Sequence, residues 1–274
     1  MNQTVVITGT TGSIGKATAV ELAKNGCQLI LLGRNPEKLS RLQSELKEIS
    51  GHSSIDTVIA DLSEPASIKK GVKEIQGKFS SLHALINIAA IFTPQRKENS
   101  MSQEYMFATN HLGPFILTAE MLNLLKAGKP SRIITVSAPS TTHVNFDDLQ
   151  GNKKFSAGFT GIFGATKMMN ILFTYALASR LEGTGVTANV FHPGLVKSGL
   201  TAEMPALMNS LIQWLSGNAE RPARMLCRLA IDPAFENSNG KFFRYDGKEL
   251  KSSKYSYDKD IQERLWKLSE ELSK

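Results

Sequence analysis

The pair of residues with the clearest chemical meaning is Phe163 and Lys167, which lie four positions apart in the sequence GIFGATK. A charged lysine lowers the pKa of a nearby phenol, so a tyrosine in place of Phe163 would give a proton-donating pair. Phe163 provides the ring of such a pair but no hydroxyl. The segment therefore looks like a Tyr-x-x-x-Lys proton-transfer site from which the acid is missing.

Ala138 is a second position at which a hydroxyl would be expected, directly after the apolar sequence IITVS. Ser137 does not replace it, because adjacent side chains of a strand point to opposite faces. His143, in the loop that follows, is interpreted as a surface residue. The other hydroxyls close to the two positions, which lack the acidity and reach of a phenol, belong to Ser140, Thr141, Thr142, Thr160 and Thr166. Both proton-handling hydroxyls of this site are thus absent.

The scaffold that must position these residues is predicted to alternate strands with helices. Short, almost continuous apolar runs predict strands at residues 4–8, 28–32, 57–60, 82–87, 132–137 and 186–191. Amphipathic stretches predict helices at residues 14–24, 36–49 and 65–79, with Asn35 as the cap of the second. This alternation is typical of an α/β protein with a doubly wound parallel sheet and helices on both faces.

The 274 residues are expected to form a single domain, because the sequence contains no linker-like or repeated segment. Residues 197–231 are apolar, helical in pattern and rich in methionine. They are predicted to form a small lid over a site at the carboxyl ends of the strands, where open α/β sheets bind ligands. Ordinary core packing of this segment is the alternative.

The composition is that of a globular protein, with 41% hydrophobic and 21% charged residues. The net charge of +7 comes from scattered basic residues, so it is interpreted as surface charge, and no motif indicates nucleic-acid binding. Cys27 and Cys227 show neither metal-ligand spacing nor a disulfide pattern, which suits a reducing cytosol. We therefore predict a cytoplasmic protein with no metal, membrane span or leader segment.

A glycine-rich loop, TGTTGSIG, follows the first predicted strand and precedes the first predicted helix. Gly9, Gly12 and Gly15 let the backbone turn tightly and approach a diphosphate group. The N-terminus of the helix supplies unpaired N–H groups and a partial positive charge. The placement of the glycines between a strand and a helix strongly indicates a dinucleotide site.

The end of the second predicted strand indicates which dinucleotide binds. A cofactor without a 2′-phosphate usually meets an acidic residue at this point. This chain has Arg34 instead, with Lys38 one turn later. Because a guanidinium suits a phosphate in both charge and donor geometry, the sequence favours NADP(H) over NAD(H).

Together these elements resemble the short-chain dehydrogenase/reductase family, over nearly the whole chain. The motifs that carry the resemblance are the glycine loop, Asp61-Leu62, the sequence NIAA from residue 87, TNHLG around Asn110, Lys167, and HPG at residues 192–194. Within the family the chain looks most like the retinol dehydrogenase and WW-domain oxidoreductase branch. The segments similar to that branch are LEGTGV at 181–186, GKFF at 240–243 and ERLWKLSEE at 263–271.

The resemblance implies a Rossmann fold and hydride transfer between a nicotinamide cofactor and a lipophilic carbonyl or alcohol. It implies that Lys167 bonds the nicotinamide ribose and that Asn110 holds a water connecting this lysine to solvent. The catalytic positions are Asn110, Ala138, Phe163 and Lys167. The cofactor positions are Gly9, Thr11, Gly12, Ser13, Ile14, Gly15, Arg34, Asn35, Lys38, Asp61, Leu62, Asn87, Ala89, Lys167, Pro193, Gly194 and Val196.

The sequence departs from the family pattern at the catalytic hydroxyls and also after strand four, where Ile88 and Ala90 replace a usual Asn and Gly. Three explanations stay open. The chain is an engineered inactive form of an active enzyme, a natural NADP(H)-binding sensor or scaffold without catalysis, or a natural enzyme whose reaction needs no phenol. The family also implies a homodimer or homotetramer.

Overall fold

The computed structural model describes residues 3–51, 54–196 and 217–274. Within them a seven-stranded sheet has the order β3-β2-β1-β4-β5-β6-β7, and all neighbouring strands are parallel. The strands are β1 (Thr4–Thr8), β2 (Gln28–Gly33), β3 (Ile55–Ile59), β4 (Ala84–Asn87), β5 (Ser131–Val136), β6 (Val186–His192) and β7 (Phe242–Arg244). The strand order reverses between β1 and β4, which is where open α/β sheets bind their ligands.

Helices cover both faces of this sheet. They are α1 (Ser13–Lys24), α2 (Pro36–Ser50), α3 (Pro65–Lys78), α4 (Tyr105–Phe107), α5 (Gly113–Ala127), α6 (Ile162–Arg180), α7 (Glu220–Ile231) and α8 (Lys259–Leu272). One core cluster holds side chains of α1, α2 and α7 against the sheet. A second core cluster holds those of α3, α5, α6 and α8. The doubly wound α/β fold predicted from the sequence is confirmed.

All six predicted strands are present, with ends that differ by at most two residues. The predicted cap of α2 is also present, because the side chain of Asn35 accepts a hydrogen bond from the backbone N–H of Lys38. The sequence did not predict β7, which contains only three residues and so presents no periodic pattern. This strand extends the sheet beyond β6.

The segment predicted as a lid, residues 197–231, is only partly within the described residues, because 197–216 lie outside them. Its last part is α7, which packs on α1 and against β5. The side chains of Met225, Leu226 and Cys227 belong to the core beneath the sheet. The contacts of α7 are those of a core helix, so the lid prediction is wrong for residues 220–231, and the alternative of ordinary packing holds there.

Helix α6, which carries Phe163 and Lys167, is almost completely enclosed. Its side chains are buried from Ile162 to Ala178. The sheet covers one side, and α8 covers another, where the Trp266 ring lies 5.9 Å from the Phe173 ring of α6. This packing holds the predicted catalytic residues in a fixed orientation.

Candidate active site

The loop between β1 and α1 brings three glycines into close backbone contacts. Gly9 has a φ of +72°, and a Cβ on it would lie 2.8 Å from the Cα of Ala89. A Cβ on Gly15 would lie 2.2 Å from the carbonyl oxygen of Gly9. At Gly12 the nearest atom to an added Cβ is that same oxygen, 3.4 Å away, so Gly12 has open space on its other sides. Two of the glycines are therefore required by the protein itself, and Gly12 leaves room for a ligand.

The N-terminus of α1 faces this loop without a competing anion. Gly12 is the N-cap and provides no side-chain hydrogen bond, and the first turn contains no acidic residue. Ser13 and Ile14 open the helix, and Thr11 is exposed beside it. The partial positive charge of a helix N-terminus is then available to an anion. The loop geometry fits the diphosphate of a dinucleotide.

Basic side chains lie at the end of β2. Arg34 is exposed, and its Nη1 donates a hydrogen bond to the hydroxyl of Tyr105. Lys38 is exposed one turn later, in the first turn of α2. The Asn35 side-chain oxygen is occupied by the α2 cap, at 2.8 Å from the Lys38 nitrogen. The site thus offers two cations where an NAD-type site offers a carboxylate.

Asp61 and Leu62 follow β3 in an ordered turn. The Oδ1 of Asp61 accepts hydrogen bonds from the backbone nitrogen and the hydroxyl of Ser63, at 2.9 and 2.7 Å. Leu62 is buried, and its carbonyl oxygen lies so close to α5 that a Cβ on Gly113 would approach it to 2.3 Å. Both residues are held in place by the protein before any ligand binds.

Asn87 ends β4 and is buried with one polar atom unpaired. Its Nδ2 donates to Thr118 at 3.1 Å, whereas its Oδ1 has no partner. The next turn is tied to β1, because the hydroxyl of Thr8 accepts from the backbone nitrogens of Ile88 and Ala89, at 3.0 and 3.1 Å. An unpaired buried acceptor is costly, so a donor from a ligand or a water fits at Asn87.

Pro193, Gly194 and Val196 follow β6. Gly194 has a φ of +75°, and a Cβ on it would lie 2.8 Å from the ring of Tyr245. Val196 forms a parallel bridge with Gly217. The predicted cofactor residues Gly9, Arg34, Asp61, Ala89 and Pro193 each follow the carboxyl end of a parallel strand, whereas Lys167 comes from α6.

Phe163 and Lys167 contact each other on α6. Phe163 is 3% exposed, and its ring makes edge-to-face contacts with the rings of Phe92 and Phe159, at 5.7 and 5.3 Å. The Nζ of Lys167 lies 5.1 Å from the centre of the Phe163 ring. Lys167 is 7% exposed, and this burial lowers the pKa of its ammonium to about 8. The lysine contacts an aromatic face where the family pattern has a phenol hydroxyl.

Ala138 lies partly buried directly after β5. The hydroxyl of its neighbour Ser137 donates to the carbonyl oxygen of Lys167 at 2.7 Å, so it holds α6 to the sheet. Three other nearby hydroxyls also donate to backbone carbonyls, namely those of Ser140, Thr142 and Thr166. His143 stacks on the ring of Tyr255, at 4.2 Å. The four hydroxyls of Ser137, Ser140, Thr142 and Thr166 are therefore engaged with backbone carbonyls and do not replace the missing hydroxyls.

Asn110 lies in a π-helical turn, Ala108–Leu112, between α4 and α5. Its side-chain amide both accepts from the nitrogen and donates to the carbonyl oxygen of Ile91, at 2.8 and 2.9 Å. Its own carbonyl oxygen accepts from Asn170 of α6, at 2.9 Å. The described contacts make Asn110 a clamp between the loop after β4 and α6, and its water-holding role stays a prediction.

A family model described as short chain dehydrogenase matches residues 3–208 of the chain. The chain belongs to the short-chain dehydrogenase family. Retinol dehydrogenase 12 of Mus musculus is 35% identical over 274 residues, which cover 98% of this chain and 85% of that relative. Polyprenol dehydrogenase of Homo sapiens is 33% identical over 287 residues, covering 99% and 85%.

Solved structures of similar fold agree with this family. The crystal structure of an uncharacterised protein from Mycobacterium Paratuberculosis has a TM-score of 0.78 at 25% identity, covering 99% of this chain and 93% of that one. A short chain dehydrogenase from Burkholderia cenocepacia J2315, solved in complex with NADP, has a TM-score of 0.71 at 22% identity, covering 89% and 96%. The second comparison shows the shared fold alone.

Three site residues of this short-chain dehydrogenase were not predicted from the sequence. Tyr105 contacts Arg34, and Phe92 and Phe159 enclose Phe163. Each comes from a loop or a short helix, where side chains have no periodic spacing. The sequence does place Phe155 and Phe159 shortly before Phe163. Closeness in sequence, however, does not predict which aromatic rings contact each other.

Proposed function

We propose that this short-chain dehydrogenase binds NADP(H) and a lipophilic carbonyl or alcohol, and that hydride transfer between them is largely disabled in the chain as it stands. One observation supports the proposal above others. The buried amine of Lys167 lies over the ring of Phe163, and the hydroxyls of Ser137, Ser140, Thr142 and Thr166 donate to backbone carbonyls. The lysine is retained while the groups that handle the substrate proton are absent.

Each proposed cofactor contact has its own residues. The glycine loop and the N-terminus of α1 would bind the diphosphate, since they combine close backbone approach with a partial positive charge. Arg34 and Lys38 would bind the 2′-phosphate through charge and paired donors. Lys167 would bond the nicotinamide ribose. NADP(H), when bound, supplies the hydride-transfer chemistry, and the protein orients the reacting partners.

The missing hydroxyls determine how slow the chain is expected to be. Loss of a positioned general acid costs roughly 10²–10⁴-fold in rate. Loss of a hydrogen-bond donor to the substrate oxygen costs roughly 10²–10³-fold. Because the two groups act on the same oxygen, their effects are not additive. We therefore expect binding without appreciable turnover.

The proposed substrate class is a lipophilic alcohol or carbonyl compound. The relatives named above are retinol and polyprenol dehydrogenases, whose names refer to apolar alcohols. In this chain, Phe159 is 55% exposed beside Phe163, and Leu195 is 59% exposed beside Gly194. Apolar side chains next to the proposed reaction site favour an apolar substrate.

A natural non-catalytic protein that binds NADP(H) is the second candidate. Phe163 is packed by aromatic rings on two sides, as a core residue is, which favours a site adapted to phenylalanine. An engineered Tyr→Phe change remains the other explanation. The codons for residues 138 and 163 in the native gene decide between these two origins.

The test combines binding with turnover. NADPH fluorescence titration of the chain is expected to give saturable binding, and NADPH oxidation with lipophilic aldehydes is expected to be near background. The double variant Ala138→Ser with Phe163→Tyr is then assayed on the same aldehyde panel. A rise of about 10²-fold or more supports a disabled enzyme, as the cost of losing an acid implies. Binding with no gain in the double variant supports the sensor, and absence of NADPH binding contradicts both.

The compartment and assembly belong to the same proposal. Among the described residues no helix is long and apolar enough to cross a membrane. Cys27 and Cys227 are free and buried, which fits a reducing compartment such as the cytoplasm. A homodimer or homotetramer is proposed from the family and is tested by light scattering of the purified chain.

A further inference from the structure

A hydrogen bond joins two elements that are far apart in the sequence, at the edge of the proposed cofactor site. The guanidinium of Arg34, after β2, donates to the phenol oxygen of Tyr105, at the start of α4. Arg34 is exposed and Tyr105 is partly buried. Among the described residues Arg34 has no ion pair with a carboxylate. The phenol is therefore the group that holds this guanidinium.

Tyr105 is a firm anchor because its backbone is fixed on both sides. Its nitrogen donates to the carbonyl oxygen of Lys97, at 2.9 Å. The preceding residue, Glu104, is fully buried; its nitrogen donates to the side chain of Gln150 at 2.8 Å, and its Oε2 accepts from the nitrogen of Phe107 at 2.6 Å. The start of α4 is thus capped by Glu104 and tied to two other points of the chain, Lys97 and Gln150.

The chemistry of a phenol differs from that of a carboxylate in this position. A carboxylate would neutralise Arg34 and repel a phosphate, whereas a phenol leaves the positive charge intact. The phenol oxygen accepts from Arg34, so its O–H remains able to donate to a further acceptor. A side chain that is already held loses less conformational entropy when it binds a ligand.

We propose that Tyr105 is a specificity-determining residue for the 2′-phosphate of NADP(H), which it selects by holding Arg34 in place and by donating its O–H to the phosphate. This inference rests on the proposed binding of NADP(H). Lys38, in the first turn of α2, is a second exposed cation, and no described contact restrains its side chain. The selectivity for NADP(H) over NAD(H) therefore depends on a pair of residues from two elements, not on Arg34 alone.

The experiment measures the dissociation constants of NADPH and NADH by calorimetric titration for the parent chain and for Tyr105→Phe. Because a hydrogen bond to a charged group is lost, NADPH is expected to bind about tenfold more weakly, with NADH unchanged within about twofold. Adenosine 2′,5′-bisphosphate and ADP, as fragments, should show the same contrast. Tyr257→Phe, which removes a phenol from a surface turn distant in sequence, is the matched control and should change neither affinity.

A double-mutant cycle with Arg34→Leu separates selectivity from a structural role. In the Arg34→Leu background, Tyr105→Phe is expected to have a much smaller effect on NADPH, because the pair acts together. Equal weakening of NADPH and NADH by Tyr105→Phe would show a structural role and overturn the inference. If the chain prefers NADPH strongly and Tyr105→Phe leaves this preference unchanged, the inference about Tyr105 is overturned, whereas the proposed binding of NADP(H) stands. A parent chain that binds neither dinucleotide overturns the proposed function as well.

Discussion

The edge of the sheet formed by β1 to β4 and the adjoining edge at β5 and α6 have diverged in character. The first keeps polar and conformationally special groups: glycines that no other residue fits, an uncapped helix N-terminus and an exposed Arg34. The second contains Lys167 and Asn110, which are proposed to be catalytic, and Phe163, which is packed among other rings. The first region thus presents groups suited to binding an anion, and in the second the position proposed for the acid holds a packed aromatic ring.

This contrast shows that a binding site and a catalytic site impose different demands on one fold. A diphosphate site depends on backbone geometry, which any loss of glycine would damage. A proton-transfer site depends on single oxygens, which can be removed with little change in shape. The second region can therefore lose its chemistry while the fold and the first region stay intact.

The largest expected effect on stability is that of Phe163→Ala, which tests whether this ring is part of the packed core. If Phe163 is a core residue, its removal should cost about 3–5 kcal/mol of unfolding free energy, as for other buried phenylalanines. Urea denaturation provides the measurement. Phe159→Ala, at a ring that is 55% exposed, is the matched control and should cost clearly less. Equal costs for the two variants would mean that Phe163 is not packed as described.

The next effect concerns the pH dependence of stability at Lys167. Burial lowers the pKa of this ammonium from 10.5 in the unfolded chain to about 8 in the fold. Burying the charged ammonium lowers the free energy of unfolding. This loss of stability is complete below pH 8, becomes smaller as the pH rises, and is absent above about pH 10.5.

Lys167→Met should therefore stabilise the protein at pH 7, by at most about 3 kcal/mol at 1.36 kcal/mol per pKa unit. Lost attraction between the ammonium and the Phe163 ring reduces this gain. Urea denaturation at pH 7 and near pH 10 measures it, with the exposed Lys38→Met as control. A gain that does not fall at the higher pH would contradict buried charge as its cause.

The smallest of the three effects concerns the glycine loop. Gly15→Ala places a Cβ 2.2 Å from the Gly9 oxygen, so the loop must shift, and overpacking of this kind costs about 1–3 kcal/mol. NADPH affinity should fall with it. Gly77→Ala is the matched control, because nothing lies within 4 Å of its added Cβ in α3. There alanine should be neutral or slightly stabilising, since glycine is a poor helix former. Gly15→Ala is thus expected to lower both stability and NADPH affinity, and Gly77→Ala to lower neither. Equal effects of the two variants would contradict the close contact at Gly15.

Much of this fold was predictable because its signals are local. The buried strands are continuous apolar runs, and Asn35 before Pro36 identifies the start of α2. The glycine loop was identified by its place between β1 and α1. In contrast, the assignment of residues 220–231 to a lid failed, because an apolar helix pattern does not state which surface the helix covers. The actual partner, α1, lies about 200 residues earlier in the chain.

By itself the sequence determined the α/β fold, the dinucleotide loop and the absence of hydroxyls at positions 138 and 163, since each depends on residue type and short-range spacing. Only the tertiary structure decided that Phe163 is enclosed by Phe92 and Phe159, that the Ser137 hydroxyl bonds to the carbonyl of Lys167, and that Tyr105 holds Arg34. These contacts join residues from separate elements. Their partners are set by how helices and loops pack on the sheet, which no local pattern specifies.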